Sequence, residues 1–172
     1  TRDGRLTALE TELVLDGGAY LTLSPVVLSR ALIHAPGPYR WPHIRIKARV
    51  MATSYPPHGA FRGFGAPQSI FALETHLDRI ARAIGIDPVE LRRRNLLRPG
   101  DLTATGQAVD VGVDVGQVVE AALTESCFAE KRVACRIANR TSSQVKRGIE
   151  AQPLIGPAEE VRGEDQVAGE ET

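Results

Sequence analysis

The run His58-Gly59-Ala60-Phe61-Arg62-Gly63-Phe64-Gly65 places three glycines within residues 59–65, directly ahead of Pro67. A glycine loop that opens a helix can cradle an anion, because helix N-termini offer unpaired N–H groups and a partial positive charge. This one lacks the Lys-Ser/Thr ending of a P-loop, and Gly63-Phe64-Gly65 is not by itself a dinucleotide fingerprint. A ligand loop and a structural turn both stay open. The histidines, His34, His43, His58 and His76, have no His-x-x-x-His spacing, so they read as scattered and no metal ligand is assigned. Glu74 falls on an apolar helical stripe beside Ile70 and Leu77, where a carboxylate needs a partner; a structural hydrogen bond is expected there. Arg45, Lys47 and Arg49 line one strand face without interleaved aromatics, which reads as a solvated face and not as a nucleic-acid surface. The two cysteines, Cys127 and Cys135, are too few for a zinc knuckle or an iron–sulfur cluster, and free thiols are expected.

The elements that must position these residues follow from periodicity. Between Arg5 and Asp16, Leu9, Leu13 and Leu15 alternate with Glu10, Glu12 and Asp16, predicting a strand that Asp16-Gly17-Gly18 ends or bends. Ile44, Ile46, Ala48, Val50 and Ala52 predict a second strand, stopped by Tyr55-Pro56-Pro57. The short apolar segment from Val26 to His34 fits either a helix or a strand. Pro67 suits the first turn of a helix, and Ile70, Leu73, Leu77, Ile80, Ala81 and Ile84 recur at helical spacing before a Gly85 cap. Asp87-Pro88-Val89-Glu90 reads as a helix start with the acid at the fourth position reaching back as in a capping box. Further helices are predicted over about 116–126 and 128–139.

Length and composition bound the rest. One domain is expected from 172 residues that are 42% hydrophobic and 24% charged, with a formal net charge of zero. The charge is uneven, since residues 151–172 carry six acids against Arg162 alone. That segment has no aromatic residue, and its scattered aliphatics cannot offset the entropy of ordering it; a disordered acidic tail is expected. The sequence contains neither a membrane-length apolar run nor a basic-then-apolar leader, so a cytoplasmic protein without membrane or nucleic-acid partners is expected. A chain starting at Thr1, with Met51 its sole methionine, reads as a fragment or a processed piece.

Several stretches together carry a resemblance. They are Ser29-Arg30-Ala31-Leu32-Ile33-His34, Gly37-Pro38-Tyr39, and Pro56-Pro57-His58-Gly59-Ala60-Phe61-Arg62-Gly63-Phe64-Gly65-Ala66-Pro67-Gln68, followed by Asp87-Pro88-Val89-Glu90-Leu91-Arg92, Asn95, Gly100-Asp101 and Thr105-Gly106-Gln107. In this order and spacing the sequence resembles the molybdenum hydroxylases, the xanthine dehydrogenase and aldehyde oxidase family. The resemblance spans roughly residues 3–150, strongest over 17–107. It implies that residues 1–150 are part of a molybdopterin-binding catalytic domain, an incomplete α+β domain of a larger subunit, with strands in the first third and helices after about residue 67. The activity implied is hydroxylation of aromatic heterocycles or aldehydes with oxygen from water, using a molybdopterin-type molybdenum cofactor. Electrons would leave through iron–sulfur clusters to FAD on partner domains or subunits. Phe64 is implied as the ring stacking on a flat substrate, and the backbone of Phe61, Arg62 and Gly63 as the part nearest the cofactor. Arg30 is implied as the catalytic arginine that faces the substrate in purine-oxidising members. The glutamate that serves as base, and the other pterin loops, would belong to the remainder of the subunit, so the isolated chain is expected to be inactive. Two alternatives stand beside this: a non-catalytic remnant or subunit-contact scaffold of the same fold, and a free-standing anion-binding module.

Overall fold

The computed structural model describes residues 1–112, 114–141 and 148; the acidic segment 151–172 lies outside the described residues. In chain order the elements are β1 (Ala8–Gly18), α1 (Ser24–His34), β2 (His43–Ala52), α2 (Ala66–Ile84), α3 (Pro88–Asn95), α4 (Val115–Glu125) and α5 (Phe128–Thr141). They divide into two compact units, Thr1–Gln117 and Val118–Thr172.

In the first unit β1 and β2 pair in parallel, from Ala8 opposite His43 to Leu15 opposite Val50. Parallel strands cannot be joined by a hairpin, so the chain between them must cross back along the sheet. Segment 24–34, left open by periodicity, forms a helix within that crossover. Pro25 sits in its first turn and Ala31 is buried, while Val26, Val27 and Ile33, weak helix formers, follow the tertiary packing. The α+β class stands, with α1 lying earlier in the chain than residue 67. β1 runs two residues past Asp16, and its ladder slips between Asp16 and Gly18. The acidic face of β1 meets the basic face of β2: Glu10 pairs with Arg45 at 3.5 Å and Glu12 with Arg49 at 3.1 Å. These are exposed pairs, worth at most about 1 kcal/mol each, and they account for the basic stripe.

α2 buries Ile70, Leu73, Leu77 and Ala81, the stripe expected from the sequence, and ends on Gly85 at φ 72°. Asp87 caps α3 by accepting from Val89 N at 2.9 Å, while the Glu90 carboxylate takes Arg94 Nε at 2.7 Å. Glu74 is the buried carboxylate anticipated above. It accepts from Tyr39 Oη at 2.8 Å and from Arg92 Nε at 2.8 Å, and Arg92 Nη1 donates to Asp78 at 2.8 Å. Burial pushes the Tyr39 hydroxyl far above its usual range, and the neighbouring Glu74 charge adds to it, so Tyr39 stays a neutral donor. Burial works against the Arg92 charge, but Glu74, Tyr39 and Asp78 outweigh it and the net shift is upward. Through this network α3 grips the middle of α2, and the turn after α1 is tied to the same carboxylate.

In the second unit Val119 of α4 and Phe128 of α5 are buried, and the Arg132 guanidinium lies 5.8 Å from the Phe128 ring centre. Cys127 and Cys135 are free thiols. No helix among the described residues is long and apolar enough to cross a membrane.

Candidate functional site

In parallel α/β arrangements, ligands gather outside the carboxyl ends of the strands, where the loops leading into helices converge. Here those ends bring together Asp16-Gly17-Gly18 after β1, Thr53 to His58 after β2, the start of α1 and the 59–65 turn. Ala19 N donates to Tyr55 O at 2.9 Å, Thr53 N to Gly18 O at 3.2 Å and His58 N to Gly17 O at 3.3 Å, lacing the two strand exits together. His58 O accepts from Thr22 Oγ1 at 2.6 Å and Ser24 Oγ at 3.1 Å, which ties the turn to α1.

The turn itself is a tight coil. Phe64 N donates to Phe61 O at 2.9 Å and Ala66 N to Gly63 O at 3.0 Å. Gly63, Phe64 and Gly65 have φ of 84°, 49° and 88°, three consecutive residues in the left-handed region. Phe64 is the unusual member, because an L side chain there costs about 1–2 kcal/mol. Its ring is held half out of the protein, at 40% exposure, and Phe61 is 81% exposed. Gly65 is required on steric grounds as well: a Cβ would lie 2.7 Å from Val27 O and 3.1 Å from Ala31 Cβ. α1 therefore rests directly on the base of the turn. Gly59 has nothing within 4 Å of a Cβ position, so the front of the turn is open.

Phe61, Arg62, Gly63 and Phe64 thus share one exposed turn. Arg30 stands apart on α1, exposed, one residue from the Ala31 contact with Gly65. Among the described residues no hydrogen bond or ion pair joins it to the turn. No group of three or more His, Cys, Asp or Glu side chains among the described residues could hold a metal. A cleft of about 540 Å³ lies elsewhere, lined by Leu9, Thr11, Leu13, Trp41, Leu73 and His76, and none of the turn residues borders it.

The model of the molybdopterin cofactor-binding domain matches residues 1–96. The chain belongs to the molybdopterin cofactor-binding domain family. It is 40% identical over 122 residues to a nicotinate dehydrogenase large molybdopterin subunit of Eubacterium barkeri, covering 71% of this chain and 29% of that protein. It is 52% identical over 99 residues to a probable xanthine dehydrogenase subunit of Bacillus subtilis, covering 58% and 13%. Among solved structures, the aldehyde oxidoreductase of Desulfovibrio gigas superposes with a TM-score of 0.70 at 35% identity, over 83% of this chain and 15% of that one. This molybdopterin-domain chain therefore spans less than a third of the curated relatives it matches, and the resemblance read from residues 17–107 is to the family found.

One cluster at the strand ends escaped the sequence reading. The Asp16 carboxylate accepts from Thr53 Oγ1 at 2.6 Å and Gly18 N at 2.9 Å, and lies 3.5 Å from His58 Nε2. The Thr53 hydroxyl, then the Gly18 amide, hold the Asp16 carboxyl below its ordinary value of 3.8; burial opposes them, and His58 adds a smaller lowering. A carboxyl whose folded pKa is depressed stabilises the fold fully above its unfolded value, and that stability is lost as pH falls through the folded one. Asp16→Asn is therefore expected to flatten part of the chain's acid sensitivity below about pH 4. Melting temperatures of both proteins from pH 6 down to 3 check it, and parallel curves would exclude a contribution from Asp16.

Proposed function

We propose that the 59–65 turn is the cofactor- and substrate-facing wall of a molybdopterin-dependent oxidoreductase subunit that hydroxylates aromatic heterocycles or aldehydes with oxygen from water. The observation that carries this is the open, left-handed turn at the carboxyl ends of β1 and β2, presenting Phe61 and Phe64 outward in a chain of the molybdopterin-domain family. The residues present suit the group. The cofactor brings its own metal and asks for no cluster of protein ligands here, and the open space at Gly59 leaves the backbone approachable. Phe61, Arg62 and Gly63 would hold it by their backbone. When bound, the molybdenum cofactor supplies the two-electron oxidation that hydroxylation of a carbon centre requires.

The chain's own residues then orient the substrate. Phe64 offers a ring face to a flat heterocycle, its backbone held by the Phe64 N–Phe61 O and Ala66 N–Gly63 O hydrogen bonds. Arg30 supplies a fixed positive charge for negative charge growing on the substrate. The base and the other pterin loops lie, on this reading, in the remainder of the subunit, and the electrons pass to iron–sulfur and FAD partners. The 172 residues alone are then inactive.

Phe64→Ala in the full-length subunit tests the proposal. Loss of a stacking contact worth about 0.5–1.5 kcal/mol is expected to lower kcat/KM by about 2- to 13-fold, with molybdenum content retained. Unchanged kcat/KM in a folded, molybdenum-loaded variant, with stability lowered, would make the turn purely structural. Arg30→Met is expected to lower kcat more than it raises KM on a purine, and to affect an aldehyde less. Equal losses on the two substrates would mean that Arg30 holds structure and does not read the substrate.

A further inference from the structure

We infer that the cleft of about 540 Å³ beside β1 is the seat of a further β-strand, supplied by the remainder of the molybdopterin subunit and hydrogen-bonded to the outer edge of β1. Two long walls define the cleft. One is β1 with its lead-in, from Gly4 to Thr11, odd and even residues alike, with Leu13 beyond. A hollow beneath one face of a strand would touch every second residue only, so the cleft lies along the strand's edge. Among the described residues none of β2 borders it, which makes this the edge turned away from β2. The other wall is a single stripe of α2, formed by Ser69, Ala72, Leu73, His76 and Ile80 at helical spacing. From Ser69 to Ile80 the helix rises roughly 16 Å, and from Ala8 to Leu13 the strand advances roughly 17 Å, so the walls match in length and bound a slot for about five extended residues.

The edge is chemically unfinished. His43 N donates to Thr7 O at 3.2 Å, which sets the alternation of the parallel ladder: odd residues of β1 turn their N–H and C=O groups to β2, while Ala8, Glu10, Glu12 and Val14 turn theirs outward. Among the described residues no hydrogen bond meets these outward groups. Two strands are also fewer than the roughly four to six of an ordinary sheet, and parallel strands belong to larger, covered sheets. The side chains set what fits. Leu9 and Leu13 share the cleft with Leu73 and Ile80, so the incoming strand is apolar at every second residue. Glu10 and Glu12 stand on the other face of β1, so the residues between are basic or neutral. A second copy of this chain fails that requirement, because β1 laid antiparallel on a two-fold mate about Thr11 sets Glu10 against Glu12. The rest of the subunit is free to meet it: the match to the Desulfovibrio gigas aldehyde oxidoreductase takes in 83% of this chain and 15% of that one.

This inference rests on reading the chain as one part of a molybdopterin subunit, and residue-resolved amide hydrogen exchange tests it on the wild-type protein. In the 172-residue chain the amides of Glu10 and Glu12 are expected to exchange freely, while those of Leu9 and Thr11, bonded to β2, are slow. In the full-length subunit Glu10 and Glu12 are expected to slow by about tenfold or more, with Leu9 and Thr11 still slow. Glu10→Pro removes the outward N–H, and Glu10→Ala controls for the carboxylate that meets Arg45. The proline variant is expected to unfold at a lower urea midpoint than the alanine variant in the full-length subunit, with a smaller gap between them in the 172-residue chain. Outward amides as fast in the subunit as in the chain, or a gap no larger in the subunit, would overturn the inference. So would outward amides whose protection in the 172-residue chain rises with its concentration, the mark of a second copy in the cleft. A full-length protein that shows the expected protection but carries no molybdenum would sink the cofactor reading and leave the strand in its seat.

Discussion

Arg92→Met is expected to lower the stability of the chain by about 3–5 kcal/mol, the penalty for leaving a buried charge without its partner. Glu74 is 1% exposed and Arg92 4%, and the guanidinium spends Nε, Nη1 and Nη2 on Glu74, Asp78 and the Pro88 carbonyl. Removing it leaves the Glu74 carboxylate with Tyr39 as its remaining donor among the described residues. Urea unfolding of the wild type and the variant measures the loss, and a change below about 1 kcal/mol would show that water or a rearranged side chain replaces the guanidinium. The double variant Arg92→Met with Glu74→Gln removes both charges, and is expected to recover part of the loss. Because α3 holds α2 through this pair, the single variant should also loosen the turn that α2 carries.

The second large effect is expected at Gly65. Gly65→Ala combines a left-handed backbone, costing about 1–2 kcal/mol, with a Cβ driven into α1, costing about 1–3 kcal/mol more. Gly85→Ala provides the control. Its φ of 72° is also left-handed, but nothing lies within 4 Å of the added carbon. Gly85→Ala should therefore show the backbone cost alone, and the difference between the two variants measures how tightly α1 seats on the turn. Equal losses would mean that α1 yields without resistance, and that Arg30 is not held in register with Phe64.

What the sequence disclosed and what it hid divide by the range of the interactions. The stripe of α2, the Asp87 cap and the alternation of β1 are written in neighbours three or four residues apart, or two along a strand, and they appear as expected. α1 was not decidable from Val26 to His34, because a short apolar run fits a buried strand as well as a helix. The parallel pairing of Leu9 with Ile44 and its neighbours calls for a crossover, most often a helix, and that is what the segment forms. The same gap hid the Asp16–His58 contact, which arises because parallel strands end on the same side. Glu74 could be recognised as a carboxylate in need of a partner. That the partners are Tyr39 and Arg92 depends on packing that no local pattern encodes. The molybdopterin-domain membership was legible from the spelling of the turn and the stretches around it, while the open face of that turn and the strained φ of Phe64 required coordinates.

The Asn95 side chain has a consequence for how the chain comes to be folded. Its Nδ2 donates to Gly4 O at 2.7 Å, and its Oδ1 accepts from Leu6 N at 2.8 Å, so the segment leading into β1 is held by the last residue of α3. These contacts bridge 91 and 89 positions of sequence. The length-dependent entropy of closing such a loop opposes docking by about 4 kcal/mol, which the local helices cannot offset early. During synthesis at about 5–20 residues per second, Leu6 emerges roughly 4–18 s before Asn95 exists to receive it. For that interval the segment before β1 lacks the Asn95 contacts, its earlier tie being the His43 N–Thr7 O hydrogen bond at 3.2 Å, while the glutamates along β1 disfavour its pairing elsewhere.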